Sequence, residues 1–491
     1  MAEDEKQARE LLGAKSFKLD ESAELVLETD KRARPRTQQE RSALLHKLIH
    51  FQIANLLLTG VNLEEAKKEL IHRYELTTRR VSELARKGEL PTLFAKSFAT
   101  GLDPHTAFLS MDDLEDFQIG MRLSLEGIGA ALSSRDGFTV IEELIPGGSA
   151  DRLHLLKPKD KIIAVAQQGQ KPMSVVDADL REVVRMIRGK KGTSVTLTIL
   201  RHGSTTQTFD VTCVRDEIDI KDAAATITYE TRVRGGKSYK VGVVGLASFY
   251  GGGGTEGRSS SGDVKNLLLE ARSRGVQGIV LDLSRNGGGL LEEAVKVAGL
   301  FLRKGAIVAT RSSSGRLRVQ EDEDPSVSWS GPLLVITTRL SASASEILAG
   351  ALKDYHRAII AGGDHSFGKG TVQILSPLPE KVGAMKITAG MYFLPGGQST
   401  QRSGVKADIL VPSAFDDDEV GELKSDRSLP PGSIGPFLSD TVNDPEPAGH
   451  WTPVDDRTIL VLAAKSRERV SKDSDLARGS RPSRRLSCAR A

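Results

Sequence analysis

Three short segments hold the residue types from which a hydrolytic site can be built. The first is Ser341-Ala342-Ser343-Ala344-Ser345-Glu346, the second Ser366-Phe367-Gly368-Lys369-Gly370-Thr371, and the third Asn286-Gly287-Gly288-Gly289. A hydroxyl such as that of Ser343 becomes a nucleophile when a neighbouring base takes its proton. A lysine amine such as that of Lys369 is a base only when neutral. To be half neutral near pH 7 it needs a shift of about 3 pKa units, roughly 4 kcal/mol, and burial is the means of supplying it.

Each segment also has a plain structural reading. Ser343-x-x-Glu346 fits a capping box, and Ser345 is a plausible N-cap. Small residues on both sides nevertheless leave Ser343 open to a substrate, and a strand-to-helix turn sets a side chain beside free backbone N–H groups. That is the logic of the nucleophile elbow, although G-x-S-x-G is absent. Lys369 between two glycines is an exposed turn residue, a phosphate ligand, or a lysine turned inward. The phosphate-loop reading fails, because Gly370 stands where Ser or Thr is required and a strand pattern follows. The glycine run is a flexible turn, or a backbone donor aimed at a developing oxyanion, where only glycine permits close approach. Histidine is the usual partner of a serine nucleophile. His365 and His356 lie near these segments, but neither comes with an Asp at motif spacing, and a histidine base stays the alternative.

The elements that must position these groups can be read from periodicity. Residues 1–118 are expected to be helical. Leu44, Leu45, Leu48, Ile49, Ile53, Leu56 and Leu57 recur at helical spacing, Glu64 to Leu84 form a second amphipathic run ending at Lys87-Gly88, and Pro91 opens a third helix. Asp103-Pro104-His105-Thr106 reads as a turn leading into Phe108 and Leu109. Residues 119–215 predict a small strand-dominated domain, with strands over Phe138–Glu143, Lys161–Val165 and Ser194–Leu200 and one helix from Asp177 to Arg188. Residues 216–425 alternate strand and helix. Ile279–Leu283 and Leu333–Thr337 are buried-strand patterns, each leading toward a helix (Leu291–Leu302 and Ser345–Tyr355), and Ala358–Ala361 and Thr371–Leu375 are further strands. This alternation argues for an α/β core with parallel content. Residues 426–491 are rich in Pro, Ser and charge, and Lys465 to Ala491 read as a basic, solvated, disordered tail.

Bulk properties narrow the function classes. The 491 residues predict several domains, and 39% hydrophobic with 27% charged residues fits a soluble globular chain. A formal net charge of +3 gives no global argument for nucleic acid. Cys213 and Cys488 neither frame disulfides nor have metal-ligand spacing, so no metal and no cofactor is expected. The N-terminal MAEDEKQARE lacks a basic region ahead of an apolar one, so no signal peptide is read, and no apolar stretch is long enough for a transmembrane segment.

Taken together the motifs resemble the C-terminal processing peptidases, also called tail-specific proteases. The similarity rests on Asp282-Leu283-x-x-Asn286-Gly287-Gly288-Gly289, Ser341–Glu346, Asp354-Tyr355, Phe367-Gly368-Lys369-Gly370-Thr371-Val372-Gln373 and Gly396-Gly397-Gln398-Ser399-Thr400-Gln401-Arg402-x-Gly404-Val405. It extends through a PDZ-like segment, from Ser124–Gly129 to Ile187-Arg188-Gly189, and covers about residues 100–412. The resemblance implies a multidomain α+β protein: an N-terminal helical region (1–118), a PDZ domain (119–215; a small β-barrel-like sandwich with helices), an α/β crotonase/ClpP-like protease core (216–425) and a C-terminal extension (426–491). It implies Ser343 as nucleophile, Lys369 as base, Gln373 as the group orienting the amine, and an oxyanion hole from Ala344 with Gly288 or Gly289. Asp354, Glu346 and Ser366 are implied as supporting residues. Gly127, Ile128, Gly129 and Ala130 are implied as the PDZ loop that holds the carboxylate of an apolar C-terminal tail. Lys159-Asp160 stands where PDZ modules usually have Gly-Asp, and Ser284 replaces the common Arg.

The expected function is a serine endopeptidase that recognises protein substrates by exposed apolar C-termini, with a homo-oligomer or adaptor as possible partner and no nucleic acid. The resemblance implies a periplasmic location, with cytoplasmic as the alternative. The alternative functions are a non-catalytic PDZ scaffold and, less favoured, a crotonase-like acyl-CoA enzyme, whose fold class also uses glycine-rich oxyanion holes.

Overall fold

The computed structural model describes residues 2–473, apart from 15, 21–23, 28–30, 87, 203–204, 221–222, 253–257, 380–381 and 444–448. The chain divides into two compact units, Met1–Phe98 and Ala99–Ala491. The first is built from α1 (Ala2–Gly13), α2 (Gln38–Leu58), α3 (Leu63–Arg86) and α4 (Leu90–Thr100), the last of which runs across the division. Thr37 caps α2 in a full capping box with Glu40. Leu45, Ile49, Ile53 and Leu56 on α2 bury against Ala8, Leu12, Ala66 and Leu70, so the i, i+3, i+4 pattern is the face that packs.

Residues 99–118, grouped with these helices in the sequence reading, belong instead to the larger unit. β1 (Ala107–Leu109) pairs with a strand of the α/β region, and α5 (Met111–Arg122) follows under a Ser110–Asp113 capping box. β2 (Ser124–Gly127) leads into the PDZ module. That module comprises β3 (Ala130–Arg135), β4 (Phe138–Leu144), α6 (Ser149–Arg152), β5 (Lys161–Gln167), β6 (Met173–Ser174), α7 (Leu180–Ile187), β7 (Ser194–His202) and β8 (Thr206–Val214). Its sheet runs β3-β4-β5-β7-β8, so β3 is an edge strand, and α7 packs beside it. α7 starts three residues later than periodicity suggested, because Asp177 takes a left-handed φ of 59° and Asp179 caps the Arg181 N–H. β9 (Asp216–Asp219) returns to pair with β2.

The α/β region follows as β10 (Thr226–Arg234), β11 (Lys237–Gly245), α8 (Ser260–Ser273), β12 (Gly278–Asp282), α9 (Leu291–Gly299), β13 (Gly305–Ser312), β14 (Leu317–Asp322), β15 (Leu333–Thr337), α10 (Ala344–Asp354), β16 (Ile359–Gly362), β17 (Thr371–Pro377), β18 (Ala384–Phe393), β19 (Ile409–Leu410) and α11 (Asp456–Lys472). One sheet has the order β10-β11-β12-β15-β16-β19 and is parallel from β11 onward. A second, antiparallel sheet has the order β1-β18-β13-β14, with β17 also on β18. The buried core runs through α8, α9, α10 and these strands.

The C-terminal extension is more ordered than its composition suggested. Val442 and Trp451 are buried in the core of the α/β region, and Lys465–Lys472, expected as the start of a solvated tail, lie in α11. Residues 474–491, including Cys488, lie outside the described residues. Among the described residues no helix is long and apolar enough to cross a membrane.

The Lys159-Asp160 departure now has a physical meaning. Asp160 is buried and takes both Arg201 Nε and Nη2 at 2.6 Å. Lys159 sits at φ 75°, its N–H donating to Ile141 O at 2.7 Å. A left-handed L-residue costs about 1–2 kcal/mol, part of which glycine returns through its looser unfolded chain. Lys159→Gly is therefore expected to raise PDZ stability by up to about 1 kcal/mol, while Lys159→Ala leaves it unchanged. Hydrogen exchange of the β4 and β5 amides in the full chain reads this out, and equal protection in the two variants would refute it.

Candidate active site

Parallel neighbours place their carboxy ends side by side. Asp282 at the end of β12 is in register with Ile336 of β15, so the loops after both strands emerge together, where open α/β sheets gather their ligands. The loop after β12 carries Asn286–Gly289, and the turn after β15 carries Ser343. Asn286 is wholly buried. Its Oδ1 accepts the Gly288 N–H at 2.9 Å, its Nδ2 donates to Leu246 O at 3.0 Å, and its carbonyl accepts Ala342 N–H at 3.1 Å and Ser345 Oγ at 2.8 Å. Ser345 thus ties two loops together and is not the N-cap. That position belongs to Ser343, at φ 56° and ψ −114°. A Cβ on Gly288 would lie 2.9 Å from Ser343 Cβ, which explains the glycine there.

Lys369 arrives from the loop that enters β17. Its Nζ lies 3.4 Å from Ser343 Oγ, 2.6 Å from Gln373 Oε1 and 3.1 Å from Thr371 O. Burial pushes the amine down to about 8, against the charges of Glu346, Glu422 and Asp103, which favour the ammonium.

Glu346 joins the two loops. It is fully buried, and its Oε2 accepts the N–H of Ser343 at 2.8 Å and of Lys369 at 2.9 Å. Its Oε1 accepts Ser366 Oγ at 2.5 Å and Gly368 N–H at 2.7 Å. Glu346 N–H is taken by the Ser343 carbonyl at 2.8 Å. Burial raises its pKa to about 7 while those donors oppose the rise. Ser366 is buried in the same clamp and accepts Val405 N–H at 2.7 Å.

The other expected residues separate. Ala344 opens α10, where its N–H has no partner within the helix. Gly288 N–H is committed to Asn286, whereas the bridge between Phe249 and Gly289 uses Gly288 O and Leu290 N–H and leaves the Gly289 N–H out of it. Asp354 ends α10, about 16.5 Å along the helix from Ser343 by helical rise. It accepts Gly396 N–H at 2.7 Å and holds that loop. His365 Nδ1 lies 2.6 Å from Ser366 O, and His356 ends α10 at φ 54°. Among the described residues no histidine is hydrogen-bonded to Ser343 or Lys369, so the histidine alternative has no geometric support. Gly127 ends β2, Ile128 and Gly129 form the turn, and Ala130 opens the edge strand β3. Gly129 at φ 77° packs against Gly148, where a Cβ would lie 3.0 Å from Gly148 Cα.

Sequence reasoning missed Tyr392. Its hydroxyl lies 2.7 Å from Lys369 O, 3.2 Å from Ser343 O and 2.6 Å from Thr400 Oγ1. A tyrosine in a strand reads as an ordinary β-former, and nothing local marks it. Asn286 was visible as part of the glycine motif, but the work of its side chain was not.

A cleft of about 620 Å³ opens over Ser343 and Lys369, with Leu290, Leu291, Ile347 and Val372 giving it apolar walls and Phe117 and Met121 of α5 closing one side. A larger cavity of about 860 Å³ lies against the six-stranded sheet and α11, but neither Ser343 nor Lys369 lines it.

Residues 240–411 match the family described as Peptidase family S41, residues 1–112 the Tail specific protease N-terminal domain, and residues 114–200 the PDZ domain. The chain is 37% identical over 413 residues to the tail-specific protease of Haemophilus influenzae, covering 83% of this chain and 57% of that protein. It is 31% identical over 319 residues to a probable CtpA-like serine protease of Staphylococcus epidermidis, covering 63% of this chain and 58% of the relative. The photosystem II D1 C-terminal processing protease is 28% identical, with 67% of this chain and 86% of that one covered and a TM-score of 0.38. The chain spans less than two thirds of the length of these two curated relatives. With an S41 peptidase domain preceded by a PDZ domain and a tail-specific protease N-terminal domain, the chain belongs to the tail-specific, or C-terminal processing, protease family.

Proposed function

We propose that this chain is a serine endopeptidase in which Ser343 attacks a peptide carbonyl and Lys369 is its general base, on protein substrates captured by an apolar C-terminal tail. The observation that carries the reading is the set of atoms around Lys369 Nζ. A neutral amine has two N–H donors and one lone pair. Gln373 Oε1 and Thr371 O are both acceptors and take the two N–H groups. The lone pair is left for the third neighbour, the Ser343 hydroxyl at 3.4 Å.

The chemistry then balances with these groups alone. Lys369 takes the Ser343 proton as Oγ bonds to the carbonyl carbon. The resulting oxyanion is received by the N–H groups of Ala344 and Gly289, at a helix N-terminus that favours negative charge. The Lys369 ammonium gives its proton to the departing amine as the C–N bond breaks; Lys369 then deprotonates a water that attacks the acyl-enzyme, and it returns that proton to Ser343 Oγ as the ester C–O bond breaks. Glu346, Ser366 and Asp354 hold the loops and transfer no proton. For the PDZ module, the free edge of β3 next to α7 supports strand addition by a substrate tail, with its carboxylate at the Gly127–Ala130 loop.

Ser343→Ala and Lys369→Ala are each expected to abolish cleavage of an unfolded reporter protein ending in three apolar residues, with circular dichroism unchanged. Full activity in Lys369→Ala would remove the dyad. Because the neutral amine is the active form, wild-type kcat/KM should rise with pH to a midpoint near 8, and a profile flat from pH 6 to 9 would contradict the assignment.

The same amine has a stability consequence. Below pH 8 both folded and unfolded chains hold the proton, and the folded state bears the full burial cost. Between pH 8 and 10.5 only the unfolded chain keeps it, so wild-type stability should rise through that window. Lys369→Met is expected to be more stable than wild type at pH 7, by up to about 3 kcal/mol, with the difference shrinking by pH 10.5. Denaturation curves at the two pH values test this. Finally, the reporter tail should lose PDZ binding when its C-terminus is amidated, as measured by calorimetry, and equal affinity would argue against carboxylate recognition.

A further inference from the structure

The Asp103-Pro104-His105-Thr106 segment is accounted for neither by the nucleophile nor by the base, yet it lies at the far end of the hydrogen bonds that reach Lys369. We infer that Asp103 is a positioning residue for catalysis, fixing through Thr388 and Gln373 which end of the Gln373 amide faces the Lys369 amine. The inference rests on the Ser343–Lys369 reading above.

The route runs across three strands. Gln373 on β17 and Thr388 on β18 are direct partners in register, and Ala107 of β1 is opposite Lys386 on the other edge of β18. Asp103 lies just before β1. Its Oδ1 accepts Thr388 Oγ1 at 2.9 Å and the N–H groups of His105 and Thr106, each at 2.9 Å, and its Oδ2 accepts Thr106 Oγ1 at 2.5 Å. Thr388 Oγ1 in turn accepts Gln373 Nε2 at 3.2 Å, Thr371 Oγ1 accepts the same NH2 at 3.0 Å, and Gln373 Oε1 accepts Lys369 Nζ at 2.6 Å.

Direction is the point. An amide has a donor end and an acceptor end of nearly the same shape, and a hydroxyl has a single hydrogen. Asp103 is buried, which pushes its carboxyl up, but the bonds from Thr106, His105 N–H and Thr388 outweigh this and leave it below the usual carboxylate range. An ionised carboxylate only accepts. It therefore claims the Thr388 hydrogen, Thr388 is left to accept, the Gln373 NH2 must turn to it, and the Gln373 carbonyl must face the lysine. Without the carboxylate, Thr388 is free to donate to Gln373 Oε1. The amide can then turn its NH2 to the amine and occupy the lone pair that Ser343 needs.

The experiment compares Asp103→Asn, Thr388→Val and Thr388→Ser with wild type and Ser343→Ala in the full chain, measuring kcat, KM and the pH midpoint on the same unfolded reporter. A misoriented group one bond from the base can cost up to about a hundred-fold in rate, so Asp103→Asn and Thr388→Val should each lose roughly ten- to a hundred-fold in kcat with KM changed less than about two-fold. Thr388→Ser, which keeps the hydroxyl, should stay near wild type. In Asp103→Asn the midpoint should also move to lower pH, because a facing NH2 and the lost negative charge both disfavour the ammonium. Wild-type kcat and midpoint in Asp103→Asn, with Ser343→Ala inactive, overturn the positioning role and leave the dyad standing. Activity retained in Ser343→Ala would remove the dyad, and this proposal with it. Should Asp103→Asn fail to fold, the Thr388 pair decides: a large loss in Val with recovery in Ser supports the relay, and equal activity in both refutes it.

Discussion

The site depends on one buried carboxylate. Ser343 follows β15 in one sheet, Lys369 precedes β17 in another, and Glu346 binds the backbone of both through a single oxygen. Burying such a charge costs several kcal/mol unless it is fully hydrogen-bonded. Here three backbone N–H groups and the Ser366 hydroxyl meet it, and every one of them donates. The anionic form fits that shell, since a proton on either oxygen would face a donor. The clamp also eases a conflict that the proposed lysine base would face. A carboxylate near the amine stabilises the ammonium and works against catalysis. Glu346 holds Lys369 by its N–H rather than by its Nζ, so the loop is fixed and the amine hydrogen-bonds only to neutral groups; the Glu346 charge still favours the ammonium, but burial outweighs it and brings the amine down to about 8.

Backbone geometry completes what the clamp begins. Ser343 stands at a positive φ, which an L-residue holds only when its surroundings demand it. The demand comes from both sides: Glu346 and Tyr392 hold its peptide groups, and Asn286 anchors the neighbouring loop so that Gly288 packs against its Cβ. Gly288 and Gly289 of that loop are there for approach rather than flexibility. A side chain on Gly289 would place its Cβ 2.2 Å from Phe249 O.

What the sequence disclosed and what it hid divide along a physical line. Ser343, Lys369, Gln373 and the glycine run were legible because each lies in a short segment whose local pattern is unusual: a serine among small residues before a helix, or a lysine between glycines before a strand. The helices and buried strands were legible from periodicity, with errors at ends such as that of α7, which begins at Leu180 behind an Asp179 cap rather than at Asp177. Tyr392, Asp103 and Glu422 were hidden because their roles exist only across long separations. His105 meets Glu422, 317 positions later, at 2.7 Å, and no window along the chain contains both. The pairing of residues 107–109 with β18 and the burial of Val442 and Trp451 could not be read for the same reason, since each joins segments far apart in the chain.

The hidden acids share a logic that the visible ones suggest. Glu422 is buried, which pushes its carboxyl up, but His105 and Gln401 bring it below the usual range. Its Oε1 claims the Gln401 NH2 at 2.8 Å, which turns the Gln401 carbonyl to the Gly370 N–H, also at 2.8 Å. Asp103 does the same for Gln373 on the side-chain side of the lysine. Two glutamines, each able to present either end of an amide, are thus given a sense by acids that can only accept, one steering an amide toward the Lys369 amine and the other toward the backbone just after it. A neutral lysine needs that discipline more than an ammonium does. An ammonium is satisfied by acceptors on every side, whereas a neutral amine has one lone pair, and it serves Ser343 only if every other neighbour takes a hydrogen from it.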